Sequence, residues 1–511
     1  MKKEHRVLFL LAFIKFILPF ILQNSLYEPH RDEFLYLAEA HHMAWGYMEI
    51  PPLLSVFAWI SNWFGHGIFW IKLWPALFGA FTYLIVGKII LSLGGRSFAL
   101  FLAFLAFVLG IFLRMHFLFQ PNFLEVFFWT MIAYSIFQFI QTGKNKWIYI
   151  FGISIGLGMI SKYSVAFFVV SVLAGLLITR NYKIFLNKHF YFAGVVAILI
   201  FLPTFIWEYQ NHFPVVVHMH ELEQTQLQYV SPKGFLIDQF LMNLPCVFIW
   251  IAGVYFAVFK ENGKYKIFAW AYFFVILLLL YFHGKNYYSA GVYPVLFAIG
   301  AFHLERFANK HSRIWKYAFI IFPLAIGIPI IPLGLPVAKP DKLASYYKAI
   351  HVKNVGFLKW EDLQNHPLPQ DFADMLGWKE MTQKTAEAYL TLSREEKKNT
   401  IIFADNYGEA GAINFYGKKY NLPEAYSDNA SFLYWLPDSI RVVNIVLITD
   451  DEEEMQHSFI KDFSSAVLFD SVTNVYAREK GSLIIILKGA NGQMREMFRQ
   501  KIQTDKNKFI E

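Results

Sequence analysis

Arg31, Asp32 and Glu33 stand in a row directly after the first apolar run, and Gly46 and the pair Pro51-Pro52 follow. Carboxylates at a hydrocarbon boundary lose hydration unless a cation, a donor or a substrate compensates them. An acid there can take a proton from a hydroxyl acceptor. A helix starting near Asp32 would turn the two carboxylates about 100° apart, so one addresses substrate while the other supports it. A helix N-terminus and Arg31 both favour the anion and weaken it as a base, whereas burial works the other way. The plain alternative is a capped helix with a solvated acidic pair. Arg114, Lys162 and Lys285 lie at the ends of apolar runs, where a cation can reach an anion at head-group depth. Snorkelling or membrane orientation would explain each of them equally well in isolation.

The elements that must hold these residues are membrane spans. The 511 residues are 56% hydrophobic and 16% charged, far more apolar than a soluble domain requires. Apolar runs begin with Val7–Ile21 and recur from Trp70 to Leu333, about eleven in all, each near the length a span needs. If the N-terminus is cytoplasmic, inner segments carry sixteen Lys and Arg, and outer ones carry five: Arg31, Arg114, Lys162, Lys233 and Lys285. That bias sets an N-in orientation and leaves everything after Leu335 outside. The net charge of +8 is spread over short loops, which excludes a nucleic-acid patch, and the lone Cys246 excludes an internal disulfide. The opening MKKEHR and its apolar run imitate a secretory signal without a small-x-small cleavage pattern, so the expectation is a retained first span.

After Leu335 the composition becomes that of a soluble domain. The expected division is a transmembrane catalytic part, 1–335, with a first outer loop over 24–69, and an outer α/β domain, 336–511. Within the tail the patterning predicts helices over Trp378–Ser393 and Glu409–Tyr416. Strands are predicted over Thr400–Ala404, Val442–Thr449, Ser465–Phe469 and Ser482–Leu487. Asn406-Tyr407-Gly408-Glu409-Ala410-Gly411 lacks the spacing and the lysine of a phosphate loop and reads as a strand-to-helix turn.

The stretch Asp32-Glu33-Phe34-Leu35-Tyr36-Leu37, then Gly46-Tyr47 and Pro51-Pro52-Leu53, resembles the first outer loop of the GT-C glycosyltransferases related to protein O-mannosyltransferases and lipid A aminoarabinose transferases. Phe119-Gln120-Pro121-Asn122 before Phe128-Trp129, Ser161-Lys162-Tyr163, Gly284-Lys285-Asn286-Tyr287-Tyr288 before Tyr293-Pro294, Asp371 to Trp378, and Asn406-Tyr407-Gly408 extend the likeness over nearly the whole chain. The resemblance implies a bacterial inner-membrane enzyme with an extracytoplasmic C-terminal domain. It would move a sugar from a polyprenyl-phosphate donor to a hydroxyl on a glycan, lipid A or a protein, with inversion and without a nucleotide sugar. It would make Asp32 the general base, with Glu33 orienting it or the acceptor. Lys162, Lys285 and Arg114 would hold the donor phosphate, and Tyr36, Asn122, Glu125, Tyr287, Tyr288 and Tyr293 would line the substrate site. Many relatives carry an aspartate in the second outer loop where this chain has Pro121-Asn122, with Glu125 the nearest acid.

No cofactor is called for, and a divalent metal stays open. His212, His218, His220, Glu221 and Glu223 share one loop without a zinc-ligand spacing, so a polar interfacial loop is the expectation. The tyrosines also fit an aromatic belt. A lipid-sugar transporter is the rival of another class, but the chain shows no paired halves and its acidic pair lies outside the spans. An envelope scaffold would leave Asp32 dispensable.

Overall fold

The computed structural model describes residues 3–65, 67–437 and 443–507. The chain opens with α1 (Lys3–Leu22), the short α2 (Arg31–Glu39) and α3 (Leu53–Phe64), followed by α4 (Ile68–Ser92) and α5 (Ser97–Leu109). Next come α6 (Phe112–Met115), α7 (Asn122–Thr142), α8 (Lys146–Met159), α9 (Val165–Ile178), α10 (Lys188–Gln210) and α11 (Pro214–Thr225). The helical part closes with α12 (Pro232–Leu241), α13 (Val247–Phe259), α14 (Lys266–Tyr281), α15 (Tyr293–Lys310) and α16 (Arg313–Gly334).

Among the described residues five helices are long and apolar enough to cross a bilayer, or seven if each of two bent pairs is one span. The bends are 108° after α9 and 66° between α12 and the segment Leu244–Phe259. α3, α5, α8 and α14 are apolar but shorter. Several of the eleven expected runs are therefore short or broken helices; Gly110, for example, ends α5 after 13 residues. Small residues bring helices together where hydrocarbon gives no hydrophobic drive. A Cβ on Gly156 would lie 3.0 Å from the Ala197 carbonyl of α10, and one on Gly300 would run into the Ile249 carbonyl of α13.

The tail carries α17 (Pro340–Ala349), α18 (Gln370–Ala373), α19 (Trp378–Leu390), α20 (Arg394–Lys398), β1 (Thr400–Ala404), α21 (Tyr407–Tyr416), β2 (Ala425–Tyr426) and α22 (Phe432–Trp435). β3 (Asn444–Thr449), β4 (Phe463–Ser471), β5 (Leu483–Ala490) and α23 (Gly492–Asn507) complete it. The sheet order is β2-β1-β3-β5-β4, with β1 parallel to β2 and β3, and β5 antiparallel to β3 and β4. β3 is buried at every position, as an unbroken apolar run between two neighbours demands. Val442, the expected start of that strand, and Lys2, one of the expected inner cations, lie outside the described residues.

The tail does not hang free. Phe34, Leu35 and Leu37 of α2 share one buried cluster with Trp378 and Met381 of α19 and Ile413 of α21. Gly411 sits against Phe34 so closely that a Cβ there would meet Phe34 Cβ at 2.8 Å, and one on Gly408 would meet the Arg31 side chain at 2.5 Å. Two glycines three residues apart lie on the same helix face, so α21 can rest directly on α2.

Candidate active site

α2 starts one residue earlier than its acidic pair suggests, because His30 caps it. His30 Nδ1 accepts from the Asp32 amide at 3.2 Å, and Glu33 Oε2 accepts from the His30 amide at 2.8 Å, a reciprocal cap. The loop before it is tied to the tail by Glu28 N to Met375 O at 2.8 Å and Arg31 N to Asp374 O at 3.0 Å.

The helix then turns its two carboxylates to different neighbours. Glu33 is wholly buried: Lys72 Nζ of α4 donates to Oε1 and Oε2 at 2.6 and 2.8 Å, and the Phe119 amide donates to Oε1 at 2.6 Å. It faces no open space, so it fixes α2 rather than meeting an acceptor. Asp32 keeps 31% of its side chain exposed. Tyr407 Oη donates to its Oδ1 at 2.8 Å, and Gln120 Nε2 donates to its Oδ2 at 2.9 Å. Burial alone would raise its pKa. His30, the Tyr407 bond, Arg31 and Lys285 outweigh burial and hold the carboxyl below the usual carboxylate range. Tyr407 is pushed the other way by burial and by Asp32, so it stays a protonated donor. The Arg31 guanidinium lies over the Tyr407 ring, 4.8 Å from its centroid.

A chain of side chains leads from Asp32 to Lys162. Asn122 Nδ2 donates to Gln120 Oε1 at 3.3 Å, and Lys162 Nζ donates to Asn122 Oδ1 and Glu125 Oε2, each at 2.7 Å. Ser164 Oγ holds the other Glu125 oxygen at 2.5 Å. The Lys162 ammonium also sits 4.3 Å from the Tyr288 ring centroid and 5.8 Å from that of Tyr287. Lys285 donates to Gln226 Oε1 at 2.5 Å and is close enough to Asp32 and Lys162 to feel both charges. Its pKa is lowered, by burial first, with Glu361 and Asp32 opposing.

Thus Asp32, Asn122, Glu125, Lys162, Lys285, Tyr287 and Tyr288 gather at one end of the bundle. Tyr36 lies buried on α2 within reach of the Asp32 charge. Arg114 pairs instead with Asp371, and Arg478 Nη1 lies 3.4 Å from Asp374 Oδ1. The structure does not bring Tyr293 to the group: it is fully buried, and its hydroxyl donates to Gln239 Oε1 at 2.7 Å inside the bundle.

His30, Asp371 and Asp374 offer three ligand atoms within 4.8 Å of one another, the arrangement a metal would need. Arg114 already pairs with Asp371 and Arg478 with Asp374, whereas His30 Nε2, 3.6 and 3.7 Å from the two aspartates, has no hydrogen-bond partner among the described residues. The His212 to Glu223 segment, in contrast, runs from the turn after α10 into α11, and His220 bonds Gln224.

Sequence reasoning did not identify Tyr407, Gln120 or Lys72. Tyr407 stood in a recognised strand-to-helix turn, and the Gly408–Gly411 spacing was the available sign that this turn packs against another backbone.

The chain matches the family model described as dolichyl-phosphate-mannose-protein mannosyltransferase over residues 49–207. Among solved structures it is similar to ArnT from Cupriavidus metallidurans bound to undecaprenyl phosphate, at 13% identity and a TM-score of 0.63, covering 95% of this chain and 98% of that one. The apo structure of the same protein gives 13% identity and a TM-score of 0.62 over 94% and 97% of the two chains. The oligosaccharyltransferase AglB from Archaeoglobus fulgidus, in complex with an inhibitory peptide and a dolichol-phosphate, aligns at 15% identity over 89% of this chain and 70% of that one, with a TM-score of 0.47. No curated protein matches in sequence. The fold is that of ArnT, a polytopic helical membrane protein of GT-C type with a small C-terminal sheet domain, as the loop motifs led one to expect.

Proposed function

We propose that this chain is an integral-membrane glycosyltransferase that moves a sugar from a polyprenyl-phosphate donor to a hydroxyl acceptor, with inversion, at the membrane face carrying Asp32. The observation that carries this reading is the placement of one partly exposed carboxylate within electrostatic reach of Lys285 and linked to Lys162 through Gln120 and Asn122. The match to a mannosyltransferase family and the fold shared with a protein crystallised with undecaprenyl phosphate support the donor class.

The chemistry divides between the two ends of that link. A lipid phosphate leaves as a stable anion, so it needs cations rather than a proton donor, and Lys285 and Lys162 supply them. The acceptor hydroxyl needs a base on the opposite side of the sugar, and Asp32 serves because it is ionised at neutral pH. A carboxylate has about four lone-pair directions. The two that Tyr407 and Gln120 occupy orient it and leave others for the acceptor proton. Glu33 acts at one remove by pinning α2. Glu125 holds Lys162, which is the part this acid plays where relatives carry an aspartate.

The test is transfer by the full-length protein in proteoliposomes given a radiolabelled polyprenyl-phosphate sugar and a panel of glycan, lipid and protein hydroxyl acceptors. Label should move to an acceptor, and Asp32→Asn should reduce transfer by roughly 100-fold or more. Full activity in that variant would remove the base. Label crossing a sealed vesicle without any product would identify a transporter instead.

A further inference from the structure

A second chemical feature lies between the ends of two helices, away from Asp32. α13 and α15 run side by side in the same direction: Trp250 meets Tyr293 near their starts, with ring centroids 5.6 Å apart, and Phe256 stacks on His303 near their ends at 4.2 Å. α15 begins next to Tyr287 and Tyr288, which face Lys162. With 18 residues it rises about 27 Å, so its last residue, Lys310, lies on the opposite membrane face. Gly253 and Gly300 hold the two helices in backbone contact. Beyond that contact their last turns line a cavity of about 760 Å³.

Lys260 and Lys310 stand at its edge, with Arg306 beside them, and its walls include the stacked pairs Phe256–His303 and Phe307–His311. Neither ammonium group has a hydrogen bond or an ion pair among the described residues. Glu305, an acid of the same helix, is turned away, accepting from the Arg96 and Ala99 amides at 2.7 and 3.2 Å at the start of α5. Each ammonium also sits at the carbonyl end of its helix, which accounts for a cation there. It does not account for the open volume between the two ends. The adjoining side of α13 is apolar and uncovered, with Tyr255 50% and Phe259 68% exposed. Cations around a cavity continuous with an uncovered apolar wall fit a ligand that is anionic at one end and hydrocarbon at the other. A basic pocket between transmembrane helices takes lipid head groups in this way.

We infer that this cavity binds the phosphate head group of an anionic phospholipid from the leaflet opposite Asp32, with the acyl chains lying along Tyr255 and Phe259. The transfer chemistry does not use this site.

The test compares full-length wild type with a Lys260→Gln/Lys310→Gln variant and, as a control on the same membrane face outside the cavity, Lys144→Gln/Lys146→Gln. Native mass spectrometry from mixed detergent micelles measures retained phosphatidylglycerol against phosphatidylcholine. Thermal melts with each lipid give an independent reading on wild type. The wild type should prefer phosphatidylglycerol by about tenfold or more and melt higher in it. The cavity variant should lose that preference while the control keeps it, and millimolar glycerol phosphate or inorganic phosphate should not displace the lipid. Equal preference in the cavity variant, an equal loss in the control, or displacement by free phosphate would each overturn the inference, the last by making this a free-anion site. Transfer at Asp32 should be the same in all three proteins, so failure here leaves the transfer reading intact.

Discussion

Tyr407 reaches Asp32 with a 2.8 Å hydrogen bond between residues 375 positions apart. A tail residue thereby becomes part of the immediate surroundings of the proposed base. Tyr407→Phe removes one donor to the anion and keeps the ring over which Arg31 packs. Transfer should fall about tenfold, the size of one charge-assisted hydrogen bond. Because that bond lowers the Asp32 pKa, its loss should move the acidic limb of the kcat profile to higher pH. A pH–rate profile at saturating donor measures both, and an unmoved limb would assign Tyr407 to packing alone.

Lys285 and Lys162 should separate by kind of defect. Lys285 is held by one neutral partner, Gln226, so Lys285→Gln should raise the KM for the polyprenyl-phosphate donor by about tenfold or more and change kcat less. Lys162 is the counter-charge of the buried Glu125. Lys162→Met should therefore lower thermal stability as well as transfer, with a cost of roughly 3 kcal/mol for the stranded acid. Adding Glu125→Gln should restore the melting temperature and leave transfer impaired. A double variant as unstable as the single one would contradict that assignment.

Glu33 and Lys72 form a fully buried pair, so either Glu33→Ala or Lys72→Met leaves one uncompensated charge. Each should destabilise the protein by about 3–5 kcal/mol, well beyond what Asp32→Asn does. Thermal unfolding in detergent distinguishes them. A Lys72→Met protein of native stability and reduced transfer would mean that Lys72 acts on substrate.

Glu28 ties the first loop to the tail by accepting from the Lys379 amide at 2.8 Å, and burial pushes its pKa from 4.5 up to about 7. The folded state thus binds a proton more tightly than the unfolded chain does. Its contribution is most favourable below pH 4.5 and is lost as pH rises through about 7, at a cost of roughly 3 kcal/mol at most. Glu28→Gln should remove that dependence and melt higher than wild type at pH 8. Parallel slopes for the two proteins from pH 5 to 8 would show that Glu28 is ionised throughout.

What could be read from the residues alone depended on distance along the chain. Lys162 drew notice because it lies at the end of an apolar run, where a charged residue needs a reason, whereas Asn122 and Glu125 came through the likeness of the second outer loop to its relatives. The strand runs at Thr400–Ala404 and Ser482–Leu487 announced themselves by β-branched content. Lys72 looked like a lysine marking the end of a span, since nothing local points to a partner 39 residues earlier. Tyr293 followed the right motif and faces the wrong way: a helix turns neighbours about 100° apart, and motif order carries no information about that rotation. Hydropathy was equally blind to the breaks after α9 and before α13, which leave it almost unchanged while redirecting the chain by 108° and 66°.

The seating of Gly408 and Gly411 on α2 has a consequence for biosynthesis. The carboxylate of Asp32 is made early, but the phenol that steadies it belongs to a helix that can dock only after more than three-quarters of the polypeptide has left the ribosome. A half-made protein would carry its membrane helices and Asp32 without that hydrogen bond, so these surroundings of the carboxylate are completed only when the tail docks.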